Sequence, residues 1–259
     1  LALRRLQREL EWSNQKMTRE LALAGEVQAS FLPNKMPEID GWQFSVTLQP
    51  ARETSGDFYD MFTLPDGRLG ILVADVVDKG VCAALFMSLS YALFRTHVQQ
   101  FPGEPERVFD AMNDHILHDT NADQFVTAFY GILDPQSGVM IYSNAGHPPA
   151  LIAGEGYGRR ARWLAKTGMP LGILPDNSWQ RREVLIAPQD VLFLFTDGLI
   201  DAEENPDSAF GLENMVSSVE TKLDGTAVAI KEGVLTDVRQ FIGDRPLFDD
   251  LLLFVIKHK

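Results

Sequence analysis

Apolar residues recur at every seventh position near the amino end, at Leu3, Leu10, Met17, Ala24 and Phe31, and then at every second position at Phe44, Val46 and Leu48. The first period predicts one long helix over residues 1 to about 31, in which Gly25 is the sole Gly or Pro. Pro33 and Pro37 end it, and Gly41 opens the globular part. The companion positions Leu6, Ser13, Glu20 and Val27 are only half apolar, so the pattern suits either a homodimeric coiled coil or an amphipathic helix lying on its own domain.

The second period predicts strands. Phe58 to Thr63 and Arg68 to Val76 flank Leu64-Pro65-Asp66-Gly67, a turn too tight for a crossover helix, so the two must pair antiparallel. Val126 to Leu133 and Val139 to Asn144 repeat that logic around Asp134-Pro135-Gln136-Ser137-Gly138. Leu69 to Val77, Val191 to Phe195 and Leu251 to Ile256 are continuously apolar, which predicts burial on both faces. Helices are expected at Val81 to Gln100, Pro105 to Asp119, Ser208 to Val219 and Thr226 to Phe241. Antiparallel hairpins buried on both faces imply an α+β fold, a four-layer αββα sandwich of two antiparallel sheets flanked by helices, preceded by the long N-terminal helix. A parallel doubly wound sheet would need a helix between most strands. The expected division is a signalling or linker helix over 1–32 and one domain over 33–259.

Composition narrows the partners. A hydrophobic fraction of 45% supports a large core, and the formal charge of −13 argues against nucleic acid or an anionic membrane as partner. Cys82 stands alone, so no internal disulfide is expected and a reducing, cytoplasmic compartment is the natural reading. No run approaches the roughly 20 apolar residues of a membrane span, and no direct membrane contact is expected. The chain starts at Leu1 rather than Met, which suggests a piece of a longer protein.

Four aspartates stand at the ends of the strongest apolar runs: Asp57 before Phe58, Asp75 after Ala74, Asp197 after Thr196, and Asp249 just before Leu251-Leu252-Leu253. Each alone reads as a turn former, and Asp197-Gly198 as a hairpin corner. Together they would be poorly solvated and would repel one another unless a cation neutralised them. Oxygen ligands without His or Cys select Mg2+ or Mn2+, and two such ions sharing a carboxylate activate water for phosphoester hydrolysis. Arg52 either contacts the substrate phosphate or is a solvated strand-edge cation. His147, among Gly and Pro, reads as a structural hydrogen-bonding residue in a turn rather than an acid. Cys82 has no evident activating base, and Ser143 to His147 lacks a nucleophile-elbow pattern.

At these residues the sequence resembles the metal-dependent protein phosphatases of the type 2C (PPM) superfamily, in their SpoIIE/RsbU-like bacterial branch. The matching segments run in order: Leu21 to Pro33, Arg52 to Asp60, Ala74 to Gly80 with Ala83 to Met87, Asn144 to Pro149, Phe195 to Ala202, and Phe248 to Asp250. The resemblance implies two Mn2+ or Mg2+ ions bridged by Asp75 with the Val76 carbonyl. Asp197 and Asp249 would hold one ion and Asp57 would sit by the other. It implies in-line hydrolysis of phosphoserine or phosphothreonine on a regulatory protein, such as an anti-sigma-factor antagonist, under an upstream sensor in the same chain. The chain departs from the family at Ser55 and Asp78, where glycines are usual, at Leu252, where threonine is common, and at Val77, where eukaryotic relatives carry a histidine that can protonate the leaving group; the last predicts a slower enzyme. A non-catalytic scaffold of the same fold and a small-molecule phosphodiesterase are the competing expectations.

Overall fold

The computed structural model describes residues 2–120, 124–205 and 208–259. In chain order the first half contains α1 (Ala2–Ala29), β1 (Trp42–Gln49), β2 (Phe58–Thr63), β3 (Leu69–Val76), α2 (Val81–Gln100), α3 (Pro105–Asp119), β4 (Val126–Leu133) and β5 (Val139–Ala145). There follow β6 (Leu151–Ala153), β7 (Arg162–Trp163), β8 (Arg182–Leu185), β9 (Val191–Phe195), α4 (Asp197–Ile200), β10 (Glu203–Asn205) and β11 (Ser208–Ala209). The chain closes with α5 (Gly211–Glu220), α6 (Ala227–Ile242) and β12 (Leu251–His258). One five-stranded sheet runs β1-β12-β9-β6-β7 and the other β2-β3-β4-β5-β8, while β10 and β11 form a separate hairpin. Every pairing within the two large sheets is antiparallel.

Strand parity explains the continuous apolar runs. In β3, Leu69, Ile71 and Val73 face the opposite sheet, while Leu72, Ala74 and Val76 face α2 and α3. In β12, Leu252, Phe254 and Ile256 join the seam between the sheets, while Leu251, Leu253 and Val255 pack under α5 and α6. The result is helix, sheet, sheet, helix, as the hairpins predict. It also fixes direction: Asp75 shares the parity of Ile71 and Val73, so β3 aims it into one mouth of the inter-sheet seam.

Some expectations need correcting. One helix, α2, is long and apolar enough by length and composition to cross a membrane, contrary to the expectation that no segment comes close. Its Ala83, Phe86, Met87, Phe94 and Val98 are buried against the β2–β5 sheet, which accounts for its apolarity. The helix expected from Ser208 starts at Gly211, because Ser208 and Ala209 pair with β10 and Gly211 takes a positive φ of 74°. Asp197-Gly198 opens the short helix α4 and is not a hairpin corner. Nor does α1 lie on the domain along its length: Leu3, Leu6, Leu10, Met17 and Val27 are all more than half exposed, and docking is confined to its last turns.

Phe254 is fully buried in the seam. Phe254→Ala should therefore cost about 3–5 kcal/mol of folding stability, read as a lower urea midpoint with the slope unchanged.

Candidate metal centre

Four segments deliver their carboxylates to the seam mouth. Asp57 enters β2, Asp75 lies in β3 opposite Thr127, Asp197 begins α4 at the end of β9, and Asp249 sits just before β12. Asp57 is 2% exposed. Its carboxyl is pushed well up, first by burial and then by the Asp75 charge. Asp75 is raised to about 7 by burial and by the charges of Asp197, Asp249 and Asp250. Asp197 is raised by burial and by Asp249 and Asp201. Asp57 and Asp75 lie close enough for each carboxyl to perturb the other, and the Asp75 charge is the second-largest cause of the rise at Asp57. The structure therefore brings together the four aspartates that the sequence places at separate strand ends.

Hydrogen bonds across the seam set their positions. Thr196 Oγ1 donates to Asp57 Oδ2 at 2.6 Å and accepts the Leu252 amide at 3.0 Å, linking both sheets through one buried hydroxyl. Asp250 Oδ1 and Oδ2 accept the Ala51 and Gly56 amides, each at 2.8 Å, and so hold the loop that leads to Asp57. Glycine is required at one close approach and favoured at another: a Cβ on Gly198 would lie 2.0 Å from the Asp250 carbonyl oxygen, and one on Gly56 a tight 3.1 Å from the Val76 carbonyl oxygen. The Val76 carbonyl thus faces the Asp57 loop. Asp78, where the family usually has glycine, adopts φ 79° and accepts the Lys79 amide on Oδ1 at 2.9 Å, a local bond that suits Asp to this conformation. Ser55, at the other departure, caps the turn by accepting the Asp57 amide at 3.0 Å.

The remaining candidates fall into place around this ring. Lys79 Nζ pairs with Asp249 Oδ2 at 2.8 Å. Arg52 is exposed, with Nη1 3.5 Å from where a Cβ on Gly80 would stand, so its guanidinium lies beside the start of α2. His147 is fully buried, with Nδ1 2.9 Å from Thr127 Oγ1, and burial holds its pKa down to about 3. A neutral imidazole that positions the strand partner of Asp75 agrees with the structural reading. Asp60 is buried beside Arg95, at 3.2 Å, on the helix side of β2 and apart from the ring.

Sequence reasoning missed Thr196, Asp250, Asp201 and Gln28. The adjacent pair Asp249-Asp250 and the four-residue step from Asp197 to Asp201 were visible signals; Thr196 and Gln28 gave none. Gln28, near the end of α1, is buried and makes two hydrogen bonds with the Ser55 backbone, accepting its amide at 2.9 Å and donating to its carbonyl.

Among the described residues no three His, Cys, Asp or Glu side chains stand in ready-made metal-binding geometry. Asp249 is turned to Lys79 and Asp57 to Thr196, so the ring is a shared chamber rather than a finished polyhedron. Its donor set nevertheless fits a hard divalent cation: oxygen ligands only, withdrawn from solvent in part or whole, and mutually repelling.

Residues 65–259 match the family model described as Stage II sporulation protein E (SpoIIE). Protein IcfG of Synechocystis sp. is 30% identical over 92% of this chain, and the chain spans 41% of that protein. Phosphoserine phosphatase RsbU of Bacillus subtilis is 26% identical over 95% of this chain and 72% of its own length. The fold is shared with the SiaA-PP2C domain of Pseudomonas aeruginosa, at a TM-score of 0.85 and 18% identity over 97% of this chain and 100% of that one. It is shared also with RsbX in complex with magnesium, at 0.62 and 16% over 87% and 99%.

The raised carboxyls give a signed prediction. Groups raised by folding contribute their full stability below the unfolded carboxylate range, about pH 4, and lose it as pH rises through the folded values, about 7 for Asp75. In chelator, the thermal midpoint should fall between pH 5 and pH 8, and Asp75→Asn should raise it at pH 8. Adding Mn2+ or Mg2+ at pH 8 should raise the wild-type midpoint and leave the variant nearly unmoved, by scanning calorimetry.

Proposed function

The chain belongs to the SpoIIE family, in the RsbU-like branch of the PPM phosphatases, and from that premise we propose that it is a metal-dependent protein serine/threonine phosphatase acting on a phosphorylated regulatory protein. The observation that carries this reading is the ring of buried Asp57 with partly buried Asp75, Asp197 and Asp249, whose repulsion is costly without a bound cation. A non-catalytic scaffold would have no use for that cost.

Asp57, Asp75, the Val76 carbonyl, Asp197 and Asp249 would hold the Mn2+ or Mg2+ ions, two by the family resemblance. Bound there, such ions supply a nucleophilic water at neutral pH and shield the phosphoryl charge. Asp250 and Thr196 keep Asp57 in place, and Arg52 is available to a phosphoryl oxygen. Val77 donates no proton and His147 is buried and neutral, so the leaving serine must take its proton from water or the substrate.

The regulatory reading rests on α1. Its exposed apolar residues at heptad spacing favour a coiled-coil homodimer linking an upstream sensor to the domain. Gly25 lies so close to the Glu53 carbonyl that a Cβ would stand 2.0 Å from it, and Gln28 grips Ser55. A movement of α1 therefore acts directly on the loop that carries Asp57. An anti-sigma-factor antagonist is the substrate class we favour from the family, and the free, exposed Cys82 suits a cytoplasmic setting.

Wild type should release phosphate from a phosphoserine protein with Mn2+ and cease in chelator, and Asp75→Asn should lose at least about a hundredfold in kcat. Metal-independent release, or an unimpaired variant, would refute the mechanism. Gln28→Ala removes two buried hydrogen bonds of about 1 kcal/mol each. It should raise the Mn2+ concentration for half-maximal activity about fivefold or more, in a metal titration.

A further inference from the structure

A cavity of about 630 Å3 opens beside the ring, lined by Arg52, Lys79, Glu203, Arg245, Leu247 and Phe248 among others. Three of those six side chains are cations, in a chain whose formal charge is −13. Lys79 is engaged: besides pairing with Asp249, it donates to the Phe248 carbonyl at 3.0 Å and lies 4.0 Å from the Phe248 ring centroid. Among the described residues neither Arg52 nor Arg245 has a carboxylate within ion-pair distance, although Glu203 lines the same cavity. Phe248 is 66% exposed, an apolar platform facing solvent beside a catalytic-type ring.

The loop that bears Arg245 and Phe248 is constrained at both ends. Gly243 turns the chain out of α6 at φ 63°, Pro246 restricts the middle, and Lys79 pins Phe248 and Asp249 at the far end. Arg245 is thus presented on a braced loop, at the wall of the pocket contributed by the segment that leads to Asp249. At physiological ionic strength charges are screened beyond about 8 Å, so a ligand in this pocket meets Arg52 and Arg245 at close range together with Glu203 and the Lys79–Asp249 pair, and is shielded from the more distant acidic surface.

We propose that this pocket seats an acidic side chain flanking the phosphoserine of the substrate polypeptide, with Arg245 as the specificity-determining cation and Phe248 as the platform for the peptide. The inference rests on the phosphatase reading and deepens it: the phosphoryl group goes to the aspartate ring, and the neighbouring carboxylate goes to the free guanidinium. Lys79, holding both the platform and Asp249, joins the two halves of the site. Arginine suits this role because its planar fork matches a carboxylate.

Two synthetic phosphoserine peptides, identical except for Glu or Lys beside the phosphoserine, test it against the whole chain with Mn2+ present. Wild type should show a KM about fivefold or more lower for the Glu peptide, with kcat changing less than KM. Arg245→Glu should reverse the order, and Arg245→Gln should abolish the preference. Arg245 is exposed, so either variant keeps the fold. Equal KM values in wild type, or a preference that survives Arg245→Glu, would overturn the assignment. Fluorescence anisotropy of the same labelled peptides in chelator separates the two readings. Discrimination in binding without phosphate release in Mn2+ would sink the phosphatase reading and keep the pocket, whereas release without discrimination would sink the pocket alone.

Discussion

Like charges crowded at the dry mouth of a seam between two sheets dominate this molecule. Burial raises the carboxyls of Asp57, Asp75 and Asp197, and each is raised further by an aspartate from another segment. A polypeptide brings such groups together only if its backbone leaves them no alternative. Here β3, β9 and β12 are buried on both faces, so the residues at their ends cannot turn away without exposing apolar neighbours or moving a whole strand. Thr196, Asp250 and the close approaches at Gly56 and Gly198 convert that rigidity into placement. On the proposed reading, a divalent cation would resolve the repulsion and supply the chemistry.

Most of this architecture was legible because it follows from strong periodicity. The boundaries of α2 and α3 fall where the apolar runs, Pro105 and the Pro- and Gly-containing turns put them, and the two tight hairpins could only be antiparallel. What escaped was short and weakly patterned. β7 has two residues and β8 reads Arg-Glu-Val-Leu with no alternating burial, so edge pairing and not composition makes them strands. β11 displaced the expected start of α5 for the same reason.

The site divides along a similar line. Asp57, Asp75, Asp197 and Asp249 announce themselves by standing at the ends of apolar strands. Thr196 does not, because its meaning is a hydrogen bond to Asp57 and another to Leu252, partners far away in sequence. Gln28 looks like any polar residue of an exposed helix until the fold shows it buried against Ser55. One loop, Ala51 to Asp57, is held from one side by α1 and from the other by Asp250, so the N-terminal helix and the aspartate ring meet on a few residues. The basic pocket under Arg245 and Phe248 lies against the same ring through Lys79, so the proposed recognition site adjoins the chemistry it would serve.

The central claim is that the four aspartates converge in order to share divalent cations. Anomalous diffraction from crystals grown with Mn2+ tests it most directly. The account predicts two anomalous peaks within the ring, with Asp75 contacting both and Asp197 and Asp249 sharing one. Peaks only at the protein surface, or a ring that holds no cation at saturating Mn2+, would contradict it.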